Sequence, residues 1–230
     1  TYEARARGVR SGMSSTEARR LAPHATFVVP DFDSYSAVSK AIVAVFRSVS
    51  SVVESASIDE AFLDLTGAVR MFGSPVQIGE YIRAVVADEQ QITCSVGIGP
   101  TKFVAKVASR AAKPDGLIEV APGEVAAFLH PLPVEAMWGV GNATAEKLHR
   151  LGIYTVGDLA QTPRGSLRPI FGPHAGGMLS ELAWGRDRRR VTPLEPEHSV
   201  GSQETFSRDT HDPDTVRRFA NSEIAPRAAQ

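Results

Sequence analysis

The chain has 230 residues, 43% of them apolar, and its 25 Lys plus Arg against 26 Asp plus Glu leave a net charge of −1. This length suits one or two domains with a sizeable core, and the charge balance excludes a binder that works by bulk basicity, so any anionic partner has to be met by local patches. A single cysteine, Cys94, excludes an internal disulfide, the histidines lack paired Cys/His zinc spacing, and no apolar run approaches the ~18 residues that span a bilayer. A cytoplasmic setting with no membrane is expected. Thr1 is not an initiator methionine, and TYEARARGVRSGM opens without a preceding strand or cap, so further sequence is expected upstream.

In chain order, YEARARGVR comes first, with Tyr2 and Arg5 on one face of a helical turn offering a hydroxyl and a bidentate guanidinium to phosphate oxygens. A frayed basic terminus would look the same. Ser14 and Glu17 form a capping box for a short helix through Leu21, and residues 34 to 49 place Val38, Ala41, Ile42, Val45 and Val49 at helical spacing with Ser34 as cap. Val52 to Ala56 and Ala61 to Thr66 read as two strands of a ribbon around SIDE. Ser74-Pro75-Val76-Gln77 opens a helix bearing Ile78, Tyr81, Ile82 and Val85 on one face, and residues 92 to 98 alternate as a strand. Thr101 caps a helix through Ala112, and Pro114-Asp115-Gly116 turns into a strand at Leu117 to Val120. The order β-β-α-β-α-β predicts an α+β domain with one mixed sheet and packed helices. Residues 122 to 185 read as an all-helical module, and GRDRRRVTPLEPEHSV, 186 to 201, as a linker.

Four groups of residues bear chemistry. In SIDEAFLDLTG, Asp59 and Glu60 interrupt a core-like ribbon of Ile58, Ala61, Phe62, Leu63 and Leu65, which fits either a solvated turn or a platform for a hard cation such as Mg²⁺. Lys102, Lys106, Arg110 and Lys113 stand at offsets of 0, 4, 8 and 11 residues, within about 80° of arc on one helix face, opposite Val104, Val107, Ala108 and Ala111. That row is either the solvated side of the helix or a polyanion contact, with Lys113 able to reach a metal-bound phosphate. The Tyr2-Arg5 pair is the third. In MWGVGNATAEKLHRLGIYTVGDLA, Gly139 and Gly141 make a tight turn and Asn142 caps a helix through His149, which is either an ordinary helical hairpin or a helix-hairpin-helix that holds DNA phosphates without reading bases.

SIDEAFLDLTG, SVGIGPTKFVAKVASRAAKPDGL, the hairpin and the opening YEAR, in that order over essentially the whole chain, resemble the Y-family (translesion) DNA polymerases, and the bacterial members most. The resemblance implies fingers at 1–31, a palm at 32–120, a thumb with the helix-hairpin-helix at 121–187, a linker at 188–198 and the start of an α+β little finger at 199–230. It implies a low-fidelity, template-directed polymerase acting in translesion synthesis, adding dNTPs to a primer 3′-OH with two Mg²⁺ ions. Asp59 would bridge both metals and Glu60 would help hold the one at the 3′-OH. Tyr2, Arg5 and Lys113 would grip the triphosphate, and Ser11 and Gly12 would lie near the nascent base pair. Gly139, Gly141 and Lys147, with Lys102 and Lys106, would meet the DNA. A bacterial, nucleoid-associated monomer that also binds a sliding clamp is implied. The family's first motif, an aspartate before an aromatic pair, has no match in this chain, so a third metal carboxylate and the ribonucleotide gate are missing and the chain as it stands is expected to be inactive. The rival is a non-catalytic, polymerase-like DNA-binding accessory protein of the damage response, which would have no need of Asp59, Glu60 and Lys113 together. A nucleotide cyclase shares the palm-like sheet but has no use for the hairpin.

Overall fold

The computed structural model describes residues 1–193, 206 and 208–228. Residues 194–205, 207, 229 and 230, which include much of the expected linker and the start of the expected little finger, lie outside the described residues. Two compact units are formed, Thr1–Ala41 and Ile42–Gln230, divided inside a helix.

The first unit carries α1 (Tyr2–Ala6), α2 (Ser15–Leu21) and the beginning of α3 (Phe32–Val49). Ser14 caps α2 as expected, its hydroxyl accepting the Glu17 N–H at 3.2 Å. The α3 cap is Asp31 rather than Ser34: the Asp31 carboxylate accepts the Ser34 N–H at 3.1 Å and the Ser34 hydroxyl at 2.6 Å. An ionised acceptor next to free N–H groups wins this position, so the helix starts two residues earlier.

The second unit continues with β1 (Val53–Ser57), β2 (Glu60–Leu63), α4 (Val69–Phe72), α5 (Pro75–Gln90), β3 (Val96–Ile98), α6 (Lys102–Ala111) and β4 (Leu117–Glu119). It then runs through α7 (Val125–Leu129), α8 (Asn142–His149), α9 (Val156–Gln161) and α10 (Arg164–Ala183) to α11 (Pro213–Ala228). The α+β class is as expected, and the Ser74/Gln77 capping box opens α5 in both directions. The strands do not form the single mixed sheet expected. β1 and β2 pair antiparallel, β3 and β4 pair parallel, and no described strand joins the two ladders. The first ladder is closed by a two-residue turn and the second by the α6 crossover, so each is completed by its own connection. Only Val96 to Ile98 of the alternating stretch 92–98 enters a ladder, starting where the Val96 N–H reaches the Gly116 carbonyl at 2.9 Å.

Two apolar cores fix these pieces. Ile78, Ile82 and Val86 of α5 pack with Ile42, Phe46 and Val49 of α3 and with Leu63 and Leu65. Phe103, Val104, Val107 and Ala108 of α6 join Leu129, Val134, Met137, Leu148, Val156, Leu159 and Leu167 in the larger core, which the α6 helix therefore shares with the helices after it. Ala111, expected on the buried face, is exposed, while Phe103 and Ala112 are buried. Burying each such large side chain is worth about 1.5–3 kcal/mol, so the cationic face of α6 is held in a fixed direction by what its other face buries.

Candidate functional site

The β1–β2 turn is tighter than the expected ribbon: only Ile58 and Asp59 lie outside the strands, and Glu60 is the first residue of β2, paired with Ser57 across a bulge. Asp59 and Glu60 are exposed, and Ile58, expected to be core-like, is 48% exposed. A two-residue turn leaves no room to fold Ile58 back over the ladder. The Asp59 carboxylate accepts the Ser57 hydroxyl at 2.6 Å, which steadies it at the tip.

The cation row of α6 faces this ladder. Lys106 makes an ion pair with Glu60, and Lys102 holds the Glu54 carboxylate with both oxygens, at 2.5 and 2.6 Å. The Lys102 side chain is only 9% exposed, lies 4.9 Å from the Phe62 ring centre and also donates to the Arg190 carbonyl. Glu54 in turn accepts the Thr192 N–H at 2.9 Å. Burial raises the Glu54 pKa, but the Lys102 and Thr192 hydrogen bonds and the Lys102 charge pull harder, and the net shift is downward. Arg110 donates to the Glu135 carbonyl at 3.0 Å. The row thus has no carboxylate within it, but Lys102 and Lys106 meet carboxylates from the opposite ladder. Lys102, expected against DNA, is directed into the protein.

Lys113 follows the end of α6, exposed and without an ion pair among the described residues. Its peptide bond to Pro114 is cis, and Asp115 has φ +46°. Gly97 of β3 sets how closely the second ladder approaches α6: a Cβ there would collide with backbone atoms of Ala105, Ala108 and Ser109.

The hairpin expected at 137–160 is present. The Val140 N–H closes a turn onto the Met137 carbonyl at 3.2 Å, with Gly139 at φ +95°, where a side chain would be strained. Gly141, not Asn142, is the α8 N-cap, and it supplies no side-chain acceptor. The N–H groups of Asn142 and Ala143 accordingly meet no acceptor among the described residues. A Cβ at Gly139 or Gly141 would touch nothing within 4 Å. Lys147, exposed, has no ion pair among the described residues. Behind the turn, Trp138 lies against Phe62 at 5.7 Å, with the Arg189 guanidinium 4.3 Å and the Lys106 ammonium 6.0 Å from its ring centre.

In the first unit, Tyr2 and Arg5 are exposed on α1, and Ser11 and Gly12 form an exposed turn with Gly12 at φ +80°. Asp59, Glu60, Lys102 and Lys106 are brought together around the first ladder, and Lys113 stands at the far end of the same helix. Glu54, as partner of Lys102, and Trp138, as partner of Phe62 and Lys106, escape the sequence reading of this region. Glu54 carries the one available signal, a charged residue on a strand, four positions before the ribbon's turn.

Asp59 and Glu60 are adjacent, accessible, hard-oxygen donors, which suits a divalent cation completed by water and substrate oxygens. No cluster of three or more metal-ligating side chains occurs among the described residues.

Residues 1–110 match the model of the impB/mucB/samB family, and residues 122–153 that of the IMS family HHH motif. The chain is similar to DNA polymerase IV 2 of Mesorhizobium japonicum, 46% identical over 88% of the chain and 49% of the relative. With DNA polymerase IV of Xanthomonas euvesicatoria pv. vesicatoria it shares 42% identity over its whole length and 65% of the relative. The chain therefore spans about half to two thirds of the length of these relatives. Among solved structures, DinB from Sulfolobus solfataricus superposes with a TM-score of 0.77 at 33% identity, covering 83% of this chain and 56% of that one. An insertion ternary complex of Dbh DNA polymerase gives 0.76 at 33% identity over the same shares.

Proposed function

The chain belongs to the impB/mucB/samB family of Y-family DNA polymerases, and from that premise we propose that it is the catalytic part of a polymerase that extends primers in translesion DNA synthesis. The observation that carries this reading is the exposed Asp59–Glu60 pair at the tip of a two-residue turn, held opposite the cations of α6.

Asp59 and Glu60 hold divalent metal, taken to be two Mg²⁺ ions, which when bound supplies positive charge at the reacting phosphate and 3′-oxygen. Ser57 orients Asp59 through its hydroxyl. Glu60 has Lys106 as counter-ion in the structure, so a cation entering here exchanges against an ammonium. Lys113, Tyr2 and Arg5 bind the incoming dNTP through its phosphates, Lys113 as a point charge and Arg5 through a planar fork. Ser11 and Gly12 lie near the nascent base pair. Gly139, Gly141 and the open N–H groups of Asn142 and Ala143 take a phosphate of primer-template DNA, and Lys147 adds charge from the same helix. Lys106 contributes to DNA binding when released from Glu60, whereas Lys102 holds the ladder to α6. The protein works in the cytoplasm, at the nucleoid, as a monomer that engages a sliding clamp. No described helix is long and apolar enough to cross a membrane.

Primer extension by the intact gene product with Mg²⁺ tests the reading. Asp59→Ala is expected to lower kcat by about 10³-fold or more, as loss of a group acting on the transition state does. Extension by the variant at the wild-type rate would leave a DNA-binding accessory role instead.

A further inference from the structure

Arg83 of α5 makes the most heavily bonded long-range contact in the described residues that the proposed chemistry does not use. Its Nη2 donates to the Asp115 carbonyl at 2.6 Å and to the Asp115 carboxylate at 2.9 Å, Nη1 donates to Glu80 at 2.8 Å, and Nε reaches the Cys94 carbonyl at 3.4 Å. One guanidinium, its side chain 20% exposed, therefore joins α5, the approach to β3 and the turn after α6.

That turn begins at Lys113. On its N-terminal side the chain is fixed by α6, where the Ala112 N–H meets the Ala108 carbonyl at 2.8 Å, whereas the Lys113 N–H has only a long contact of 3.4 Å to Arg110. On its C-terminal side Asp115 has φ +46°, a left-handed conformation that is uncommon for residues with a side chain, although Asp enters it more readily than most. Arg83 braces it, gripping the Asp115 carbonyl and carboxylate at once. Gly116 is pressed against the Ala112 carbonyl, so the loop has no slack on that side either. Asp115 and Glu80 neutralise Arg83, so the guanidinium is not an open phosphate ligand. Its fork geometry is what a lysine cannot reproduce.

We infer that Arg83 is a positioning residue for Lys113: by bracing the 113–116 turn from α5 it fixes the direction from which the Lys113 ammonium meets the phosphates of the incoming nucleotide. This rests on Lys113 binding the triphosphate, and it assigns the accuracy of that contact to a side chain on another helix. A long, flexible lysine binds an anion well only if its backbone anchor does not wander, because each extra anchor orientation dilutes the productive one.

The test is a double-mutant cycle in primer extension by the intact gene product, with Arg83→Ala, Lys113→Ala and both. Arg83→Ala is expected to raise KM for the dNTP about tenfold with little change in kcat, and to add nothing further in the Lys113→Ala background. Arg83→Lys should fail to restore KM. Asp115→Asn, which tolerates the left-handed conformation and weakens the same brace, should raise KM in the same direction and decides the matter if Arg83→Ala does not fold. An equal rise in KM on both backgrounds, or an unchanged KM in Arg83→Ala and Asp115→Asn, overturns the inference while leaving Lys113 in place. A Lys113→Ala enzyme with unchanged KM overturns the reading of Lys113 itself, and this inference with it.

Discussion

Two basic elements of the same unit are built in opposite ways. The α6 row is closed: Lys102 and Lys106 meet carboxylates of the β1–β2 ladder, and Gly97 of β3 presses on the α6 backbone. The α8 hairpin is open: Gly139 and Gly141 face empty space, two N–H groups at the helix start lack acceptors among the described residues, and Lys147 is exposed. Both segments look like places where an anion would bind when read as strings of lysine and glycine. What separates them is the element packed opposite, which brings counter-charge to one and, among the described residues, none to the other.

The glycines give the sharpest contrast. Gly97→Ala places a methyl group among backbone atoms of Ala105, Ala108 and Ser109, which cannot yield as a side chain can. The expected cost is about 3 kcal/mol or more, seen as a melting midpoint lowered by roughly 10 °C. Gly141→Ala meets no atom within 4 Å and should cost less than about 1 kcal/mol, while weakening DNA binding in a fluorescence anisotropy titration. If both variants melt at the wild-type temperature, the ladder does not approach α6 as closely as described.

A smaller effect is expected at the closed ion pair. Lys102→Met leaves Glu54 with the Thr192 N–H and hydroxyl alone, and the partly exposed setting points to a cost of about 2 kcal/mol at pH 7. The folded protein holds the Glu54 carboxyl below its ordinary 4.5, so its contribution is present above that value and lost as pH falls through the lower folded value. Denaturant melts of wild type and Lys102→Met should therefore converge as pH falls below 4.5. A gap that stays constant with pH would show that the Lys102 ammonium stabilises through the Phe62 ring and the Arg190 carbonyl rather than through Glu54.

These contrasts also mark what could be read from residues alone. The Ser74 and Thr101 caps, the α6 apolar face at Val104, Val107 and Ala108, and the glycine hairpin were legible, because each is decided by neighbours within a few positions. The division of the strands into two ladders is not, because whether β3 or β4 joins the local β1–β2 hairpin is decided by packing far along the chain, and each strand is too short to specify an edge. The Asp31 cap was missed for a different reason: two acceptors compete within one turn, and the ionised one wins. At the candidate site, Asp59, Glu60 and Lys113 are legible as candidates from their residue types. Their partners Ser57, Lys106 and the Arg83 brace are contacts of the fold, and only Ser57 is near in sequence.

The smallest effect is the most direct comparison of the two elements. Each lysine that neutralises a DNA phosphate on binding releases condensed counterions, so its removal lowers the slope of log affinity against log salt by about one unit. Lys147, open to water on α8, should show this drop when replaced by alanine. Lys102 should not, because its ammonium is paired with Glu54 before DNA arrives and is not free to neutralise a phosphate and release that phosphate's counterions. Lys106 falls between them: its partner Glu60 is a proposed metal ligand, so the slope lost in Lys106→Ala should appear with Mg²⁺ present and shrink without it. Anisotropy titrations from 50 to 200 mM salt on the three variants order the lysines by what faces them. Equal slope losses for Lys102→Ala and Lys147→Ala would mean that the α6 row opens when DNA binds, and that the contrast between a closed and an open element belongs to the free protein alone.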